Sequence, residues 1–499
     1  MLALSSPERA PVHSTVWRLV LAFGFVVLFP TLFLRGMSVD GVTFATISRN
    51  LAVGDGDFWH PVYTGTLHHE FHEHPPLAFF LESLLFRILG DQWWVERLYS
   101  LLTVLPTVAI LVLIWRRILE RTPALAAYSW LPIGLWVLMP GWAWIYRNNF
   151  LENTLGIFTA LTIYAALRAL DTSRWSTAWT VLAAGSIVAA VLSKGPVGLF
   201  PVVTPVVAWM TMRSTSLRKT LIVETTLLVF LAAALVLLLS QAEPRAFLIT
   251  YFEQQVVNSL QGRREVIDSQ LSQLYLLREI PHHLLFPGAA AAGLVLLARK
   301  RTESSPATGL RGPAMFCWLT AISASMPIMI SPKQSAYYAA ASWPFYTMAI
   351  ALWCLPATST LIARWSEKAR FARALGTLRW ASAGAIVACI ALSPLWFGRA
   401  VRDRELMADV NRIAEHVGPH NRVSIAPELW DQWSLHAYLY RFHYISISFD
   451  ADEAQPFRLE LADAPGELPP GCTLYDTGLR HYRLYKTDRI AASPQAQQQ

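Results

Sequence analysis

Residues 220–240 read TLIVETTLLVFLAAALVLLLS, with Glu224 as the only charge. A helix crosses the hydrocarbon core of a bilayer with about 20 apolar residues, so this stretch reads as a membrane span. Ten further apolar runs lie on either side of it, at about 17–34, 98–115, 124–144, 150–167, 175–192, 196–212, 283–298, 313–330, 336–355 and 380–397. The predicted fold class is all-α and polytopic, with about eleven spans and at most about thirteen.

Composition agrees. Of the 499 residues, 54% are hydrophobic and 15% are charged. A soluble domain carries about 25% charged residues. The net charge of +7 is spread over many short loops, which reads as a membrane topology signal and argues against a nucleic-acid partner. The first apolar run follows Arg9 and Arg18 and leads into Arg35-Gly36-Met37, with no small-residue cleavage site. It is expected to be an uncleaved span.

Placing the N-terminus in the cytoplasm puts Arg116, Arg117 and Arg121 inside, then Arg168 and Arg174, then Arg213, Arg218 and Lys219. Arg299, Lys300, Arg301 and Arg311 follow, and then Arg364, Lys368, Arg370, Arg373 and Arg379. Every short inside loop is then basic, as the positive-inside rule requires. The segments 35–97, 142–149, 193–195, 241–282, 331–335 and 398–499 are expected outside, on the periplasmic face of a bacterial inner membrane.

Two of these outside segments are long. In 35–97, the run 77–89 is apolar but carries Glu82 and Arg87, and suits a helix along the interface better than a span. Residues 400–489 have a soluble character. Arg402–Val417 and Trp430–Arg441 have helical spacing, and Val423–Ala426, Tyr444–Phe449, Cys472–Leu474 and Tyr482–Tyr485 read as strands. The expected organisation is a membrane domain over 1–399, a small α/β domain over 400–489 and a disordered tail over 490–499. Cys472 is the only one of four cysteines in the soluble part, which excludes an internal disulfide there.

Polar clusters gather on the expected outer face. They include Asp40, the histidine-rich stretch 60–74, Arg147 to Glu152, Ser193-Lys194-Gly195, Arg263-Arg264 and Ser331–Gln334. Ionisable groups at membrane depth are costly and tend to be functional. Lys194 stands alone between two apolar runs, either as a site cation or snorkelling to the interface. Asp40 directly follows the first span, where a carboxylate suits a general base or caps a helix. Paired arginines such as Arg263 and Arg264 suit phosphate, or a solvated loop. His72 and Glu73 raise the alternative of a divalent metal, against that of a wet polar wall. No Walker loop, GxGxxG after a strand, GxSxG or HExxH is present, so ATP-driven transport, dinucleotide chemistry and zinc proteolysis have no sequence support.

In chain order, these elements resemble the bacterial PMT-like GT-C glycosyltransferases, whose members include the aminoarabinose transferases of lipid A. Asp40 through Arg49 resembles the family's first outer loop, with an acid followed nine residues on by Arg. Gly56-Asp57-Phe58-Trp59 and Pro61 resemble its next element, and Glu73-His74-Pro75-Pro76-Leu77 its Glu-Lys/His-Pro-Pro-Leu motif. Arg97, Arg147 through Glu152, Leu192-Ser-Lys-Gly-Pro196 and Ser331 through Tyr338 resemble four more. Gly41 stands where a second acid is frequent, and His74 where the aminoarabinose transferases have Lys.

The resemblance spans about residues 15–400. It implies a GT-C fold with two interfacial helices in the first outer loop, and a polyprenyl-phosphate-linked sugar as donor. The implied acceptor is lipid A, another envelope glycan or a protein, and no cofactor is required. Asp40 would be the catalytic carboxylate. Lys194, Arg263, Arg264 and His74 would hold the donor phosphate, with Arg49, Glu73, Arg97, Arg147, Glu152, Lys333 and Tyr338 around the substrate. The rival readings are a transporter or flippase binding the same headgroup, an O-antigen ligase or polymerase, and a membrane scaffold.

Overall fold

The computed structural model describes residues 10–171, 174–261, 275–299, 309–331, 333–448, 455–463, 471–475 and 478–487. Among these, nine helices are long and apolar enough to cross a membrane. The chain is a multi-pass membrane protein. It forms two compact units: Met1–Leu32, His72–Ala78 and Arg97–Leu395 make the first, and Phe33–Phe71, Phe79–Glu96 and Trp396–Gln499 the second.

All eleven apolar runs have helical counterparts, but two depart from single straight spans. Run 124–144 is the pair Pro123–Val137 and Pro140–Arg147, bent by 78°. Met139 is extended at ψ 128°, as a residue before proline prefers, and this breaks the helix. Run 196–212 is a shorter apolar helix, Pro196–Met212. Its first part, Pro196–Val203, is 3-10, with Pro201 inside it, and α-helix resumes at Thr204. The eleven predicted spans are therefore nine full-length helices, or ten if the bent pair counts as one.

Within the first unit, Leu151–Asp171 and Ala336–Ser366 are the most enclosed helices, each with 67% of its apolar window buried. Leu217–Ser240 has only 11% buried, and Leu235, Val236 and Leu237 point outward. In water such a surface would drive aggregation; in a bilayer it is the lipid face. Helices Leu151–Asp171 and Ser176–Lys194 lie side by side through Ala165, Ala166, Ala183 and Ala184. Small residues let membrane helices approach closely where water exclusion gives no drive. Trp115, Trp136, Trp142, Trp343, Phe316 and Phe345 fill the centre.

The second unit is built on two sheets. A short one pairs β1 (Leu34–Arg35) parallel to β2 (Arg399–Ala400). The larger one has the order β4-β3-β5-β7-β6. Its strands are β3 (Arg422–Ile425), β4 (Ser446–Ser448), β5 (Phe457–Leu461), β6 (Cys472–Tyr475) and β7 (Tyr482–Thr487). β3 runs parallel to β4 and β5, and β7 is antiparallel to β5 and β6. Helix Arg404–Val417 buries Met407, Val410, Ile413 and Val417, spaced three or four apart, as one apolar stripe. Helix Trp433–His443 adds Leu435, Tyr438 and Leu439 to the same core.

Two more helices of the chain, Val39–Val53 and Leu77–Leu89, come from the first outer segment. The second coincides with the run expected to be a helix. The compact unit holding the C-terminal sheet thus also takes in most of residues 33–96. Strand β5, central in the sheet, has no counterpart in the sequence reading. Its Leu459 is fully buried, but Arg458 and Glu460 flank it and bond each other at 2.9 Å.

Candidate active site

Lys194 is the last residue of helix Ser176–Lys194, and Glu152 lies in the first turn of Leu151–Asp171. The Lys194 ammonium bonds Glu152 Oε1; the two side chains are 8% and 0% exposed. A cation at a helix C-terminus and an anion at an N-terminus each suit the local dipole. Two charges this deep persist because they are paired. The ammonium also lies 4.7 Å from the ring centre of Tyr338 and 5.6 Å from that of Tyr337, where ring faces attract cations. Tyr337 stacks in turn on Phe150 at 4.4 Å.

The chain can turn directly after Lys194 because of Gly195, at φ 90° and ψ −154°, a region essentially reserved for glycine. A Cβ there would sit 1.9 Å from the Tyr251 hydroxyl oxygen. Tyr337 falls within the Ser331–Tyr338 element that carries the resemblance, whereas Tyr251 has no local signal in the sequence.

Arg97 and Arg147 have backbone partners. Arg97 Nη1 donates to the Arg147 carbonyl at 2.8 Å, and Arg147 Nη2 to the Val27 carbonyl at 2.9 Å. Ser100 Oγ donates to the Tyr146 carbonyl at 2.8 Å, and Asn153 Nδ2 to the Ile145 carbonyl at 3.2 Å. Arg97, Ser100 and Asn153 thus reach the last carbonyls of the short helix Pro140–Arg147, while Arg147 itself reaches back to the first span. The sequence reading took Arg147 and Glu152 as one polar element; Glu152 bonds Lys194.

Lys333 is half-buried, and its carbonyl accepts the Ser331 hydroxyl at 3.3 Å. Gln334 ties this loop down, accepting from the Leu276 amide at 3.3 Å. Glu73 and His74 lie half-buried in the bend before Pro75. The His72 ring packs on Phe247, with centres 4.9 Å apart. Among the described residues, no three His, Cys, Asp or Glu side chains gather as a metal group, so the histidine-rich stretch assembles no such cluster there. Arg263 and Arg264 lie outside the described residues.

In the second unit, Asp40 is half-buried in the first turn of Val39–Val53, where an acid suits the helix dipole. Arg49, on the same helix, is fully buried. It bonds Asp91 Oδ2 and the Tyr440 carbonyl, both at 3.4 Å, and its guanidinium lies 3.8 Å from the Tyr444 ring centre. Arg49, expected around the substrate from the family resemblance, is enclosed by these partners. Asp91 also bonds Arg441 Nη1 at 2.7 Å, and Arg441 Nη2 bonds Glu96 at 3.0 Å. Burial alone would raise the Asp91 carboxyl, but Arg441 and then Arg49 outweigh it and hold it below the usual carboxylate range.

Residues 73–239 match the family model of dolichyl-phosphate-mannose-protein mannosyltransferase. No curated protein sequence matches the chain. The crystal structure of apo ArnT from Cupriavidus metallidurans superposes with a TM-score of 0.64 at 18% identity, covering 94% of this chain and 97% of that one. The chain has a GT-C fold. The crystal structure of ArnT from Cupriavidus metallidurans bound to undecaprenyl phosphate matches this chain with a TM-score of 0.63 at 17% identity and the same coverage. The PMT-like GT-C resemblance read from the sequence is borne out.

Proposed function

We propose that this chain is an inverting glycosyltransferase that moves a sugar from a polyprenyl-phosphate donor to an acceptor at the periplasmic face of a bacterial inner membrane. The observation that carries the reading is the enclosed Lys194–Glu152 pair beside Tyr337 and Tyr338, at the turn that Gly195 allows. It supports a fixed cation for the donor phosphate. The similar ArnT structure holds undecaprenyl phosphate, a lipid of this class.

In the proposed step an acceptor hydroxyl oxygen attacks the anomeric carbon. The bond from that carbon to the phosphate oxygen breaks, and its electron pair leaves with the polyprenyl phosphate. The hydroxyl proton passes to the Asp40 carboxylate. Negative charge grows on the departing phosphate, and a well-placed donor there is worth about 3–4 kcal/mol. Lys194 fills that role, with His74, Arg263 and Arg264 as further cations. Arg97, Arg147, Glu73, Lys333 and Tyr338 surround the substrate. Lipid A, another envelope glycan and protein are the acceptor classes.

The test uses the full chain in nanodiscs with synthetic undecaprenyl-phosphate-linked hexoses and aminopentoses, and envelope glycolipid as acceptor. Release of undecaprenyl phosphate, coupled to an acceptor mass gain of one sugar, is expected for one donor. Binding of donors without any such release would favour a transporter.

A further inference from the structure

The residues just before Asp40 are bonded to chain from residues 399 to 438. β1 pairs with β2, Leu34 opposite Arg399 and Arg35 opposite Ala400. Gly36 comes next, at φ +82°. A Cβ on it would sit 2.3 Å from the Arg402 carbonyl oxygen, so only glycine fits this approach. Met37 is then gripped by one side chain. The Tyr438 hydroxyl accepts from the Met37 amide at 3.2 Å. It offers its single proton to the Met37 carbonyl, at 2.9 Å, or to Asp403 Oδ2, at 2.8 Å. Helix Val39–Val53 starts two residues later.

Asp403 supplies a second observation. It precedes helix Arg404–Val417, where an aspartate normally caps the first amides, yet its side chain makes no capping bond. Its backbone is left-handed, at φ +52°. A non-glycine residue held there is strained, and such strain gathers where structure is set for function. The carboxylate is turned onto Tyr438 instead. Tyr438 is 1% exposed, and burial followed by the Asp403 charge pushes its phenol up, so it stays a proton donor.

The geometry points to Tyr438 as a positioning residue for the transfer reaction: with Asp403 behind it, its hydroxyl fixes the backbone that leads into the Asp40 helix, and so aims the Asp40 carboxylate. The C-terminal α/β segment is on this view part of the catalytic machinery and no appendage. The inference rests on the reading of Asp40 as the base.

Tyr438→Phe removes the hydroxyl and keeps the ring. Misplacing a reacting group by about 1 Å can cost a hundredfold, so kcat should fall about tenfold to a hundredfold while KM for the undecaprenyl-phosphate sugar stays within about twofold. In the Asp40→Asn background the same change should cost no more than about twofold, because nothing is left to aim. Asp403→Asn, which weakens the hold without touching Met37, should give a smaller loss in the same direction. Hydrogen exchange needs no substrate: amides of residues 39–45 should exchange at least about tenfold faster in Tyr438→Phe, with the rest of the second unit unchanged. Unchanged kcat and exchange in Tyr438→Phe, with Asp40→Asn inactive, would overturn the inference. So would a uniform rise in exchange across the unit, the sign of general loosening. Asp40→Asn at wild-type rate would instead overturn the base reading, whatever Tyr438 does.

Discussion

Lys194 and Glu152 join the end of one helix to the start of its neighbour through a single buried ion pair. The two residues are 42 apart in sequence. Removing either charge strands the other. Lys194→Ala should lower stability by about 3–5 kcal/mol, the cost of a lone buried charge. It should also weaken undecaprenyl phosphate binding at least about tenfold if the ammonium meets the donor phosphate. Glu152→Gln separates the two effects. It keeps the cation and removes its counter-charge, so binding should be as tight as wild type or tighter while the melting temperature falls. Equal lipid affinity in wild type and Lys194→Ala would take Lys194 out of the donor site. Lys194→Arg should rescue only in part, since a planar fork does not replace a point charge.

Asp40→Asn keeps size and polarity and removes the base. Turnover should fall at least about 100-fold, the contribution of a positioned general base. Melting temperature should hardly move, since a first-turn acid is worth about 1 kcal/mol or less. A near-normal rate would leave Asp40 with a dipole role alone.

Arg441 is 2% exposed and bonds Asp91, Glu96 and the Gln92 carbonyl. Arg441→Met should destabilise the protein by about 3–5 kcal/mol, because buried Glu96 loses its counter-charge while Asp91 keeps only Arg49. Adding Glu96→Gln should restore much of the loss. Thermal melts of the three proteins decide it; a double variant no better than Arg441→Met would show that packing, not charge, dominates.

His436 gives the second unit a pH dependence. Burial lowers its pKa to about 4, against the opposing hydrogen bond to the Trp430 carbonyl and with a further push from His68. An unfolded histidine titrates near 6.5, so between these values the unfolded chain binds the extra proton. Stability is therefore full above about pH 6.5 and falls as the pH drops toward 4, by roughly 3 kcal/mol from this group alone. His443, lowered by burial and then by Arg35, adds in the same direction. Melting temperature measured from pH 7 to 5 should decline in wild type and decline less in His436→Gln. Parallel profiles would remove His436 as the cause.

Orientation can be read with a reporter active only in the periplasm. Fused after residue 399 it should give signal, and fused near Arg301 none. The reverse pattern would invert the topology.

The membrane part of the fold was legible because a span is a local property: twenty apolar residues announce themselves, as at 220–240. The break at Pro140 and the 3-10 stretch Pro196–Val203 were not read, although the prolines were visible, since whether a proline bends or ends a helix depends on its neighbours. The soluble helices were located to within a few residues, but β5 was missed because its charged residues hide a short apolar alternation. For the site, Lys194 stood out as a charge without local reason. Its partner could not be read, since nothing in a sequence ties residue 194 to residue 152. Tyr438 was invisible for the same cause, being 401 residues from the Met37 it holds.

That separation sets a schedule for the protein's birth. Ribosomes add about 5–20 residues per second, so the segment bearing Asp40 emerges roughly 20–80 seconds before Tyr438 exists. Through that interval the helix of the proposed base can bond near neighbours such as Glu82 and Asp91, but the chain before it lacks the Tyr438 hold. A chain stopped between residues 400 and 437 would still carry nearly all its apolar helices, without Tyr438 to hold the approach to Asp40. Catalytic competence would then wait on the α/β segment that follows the last apolar helix.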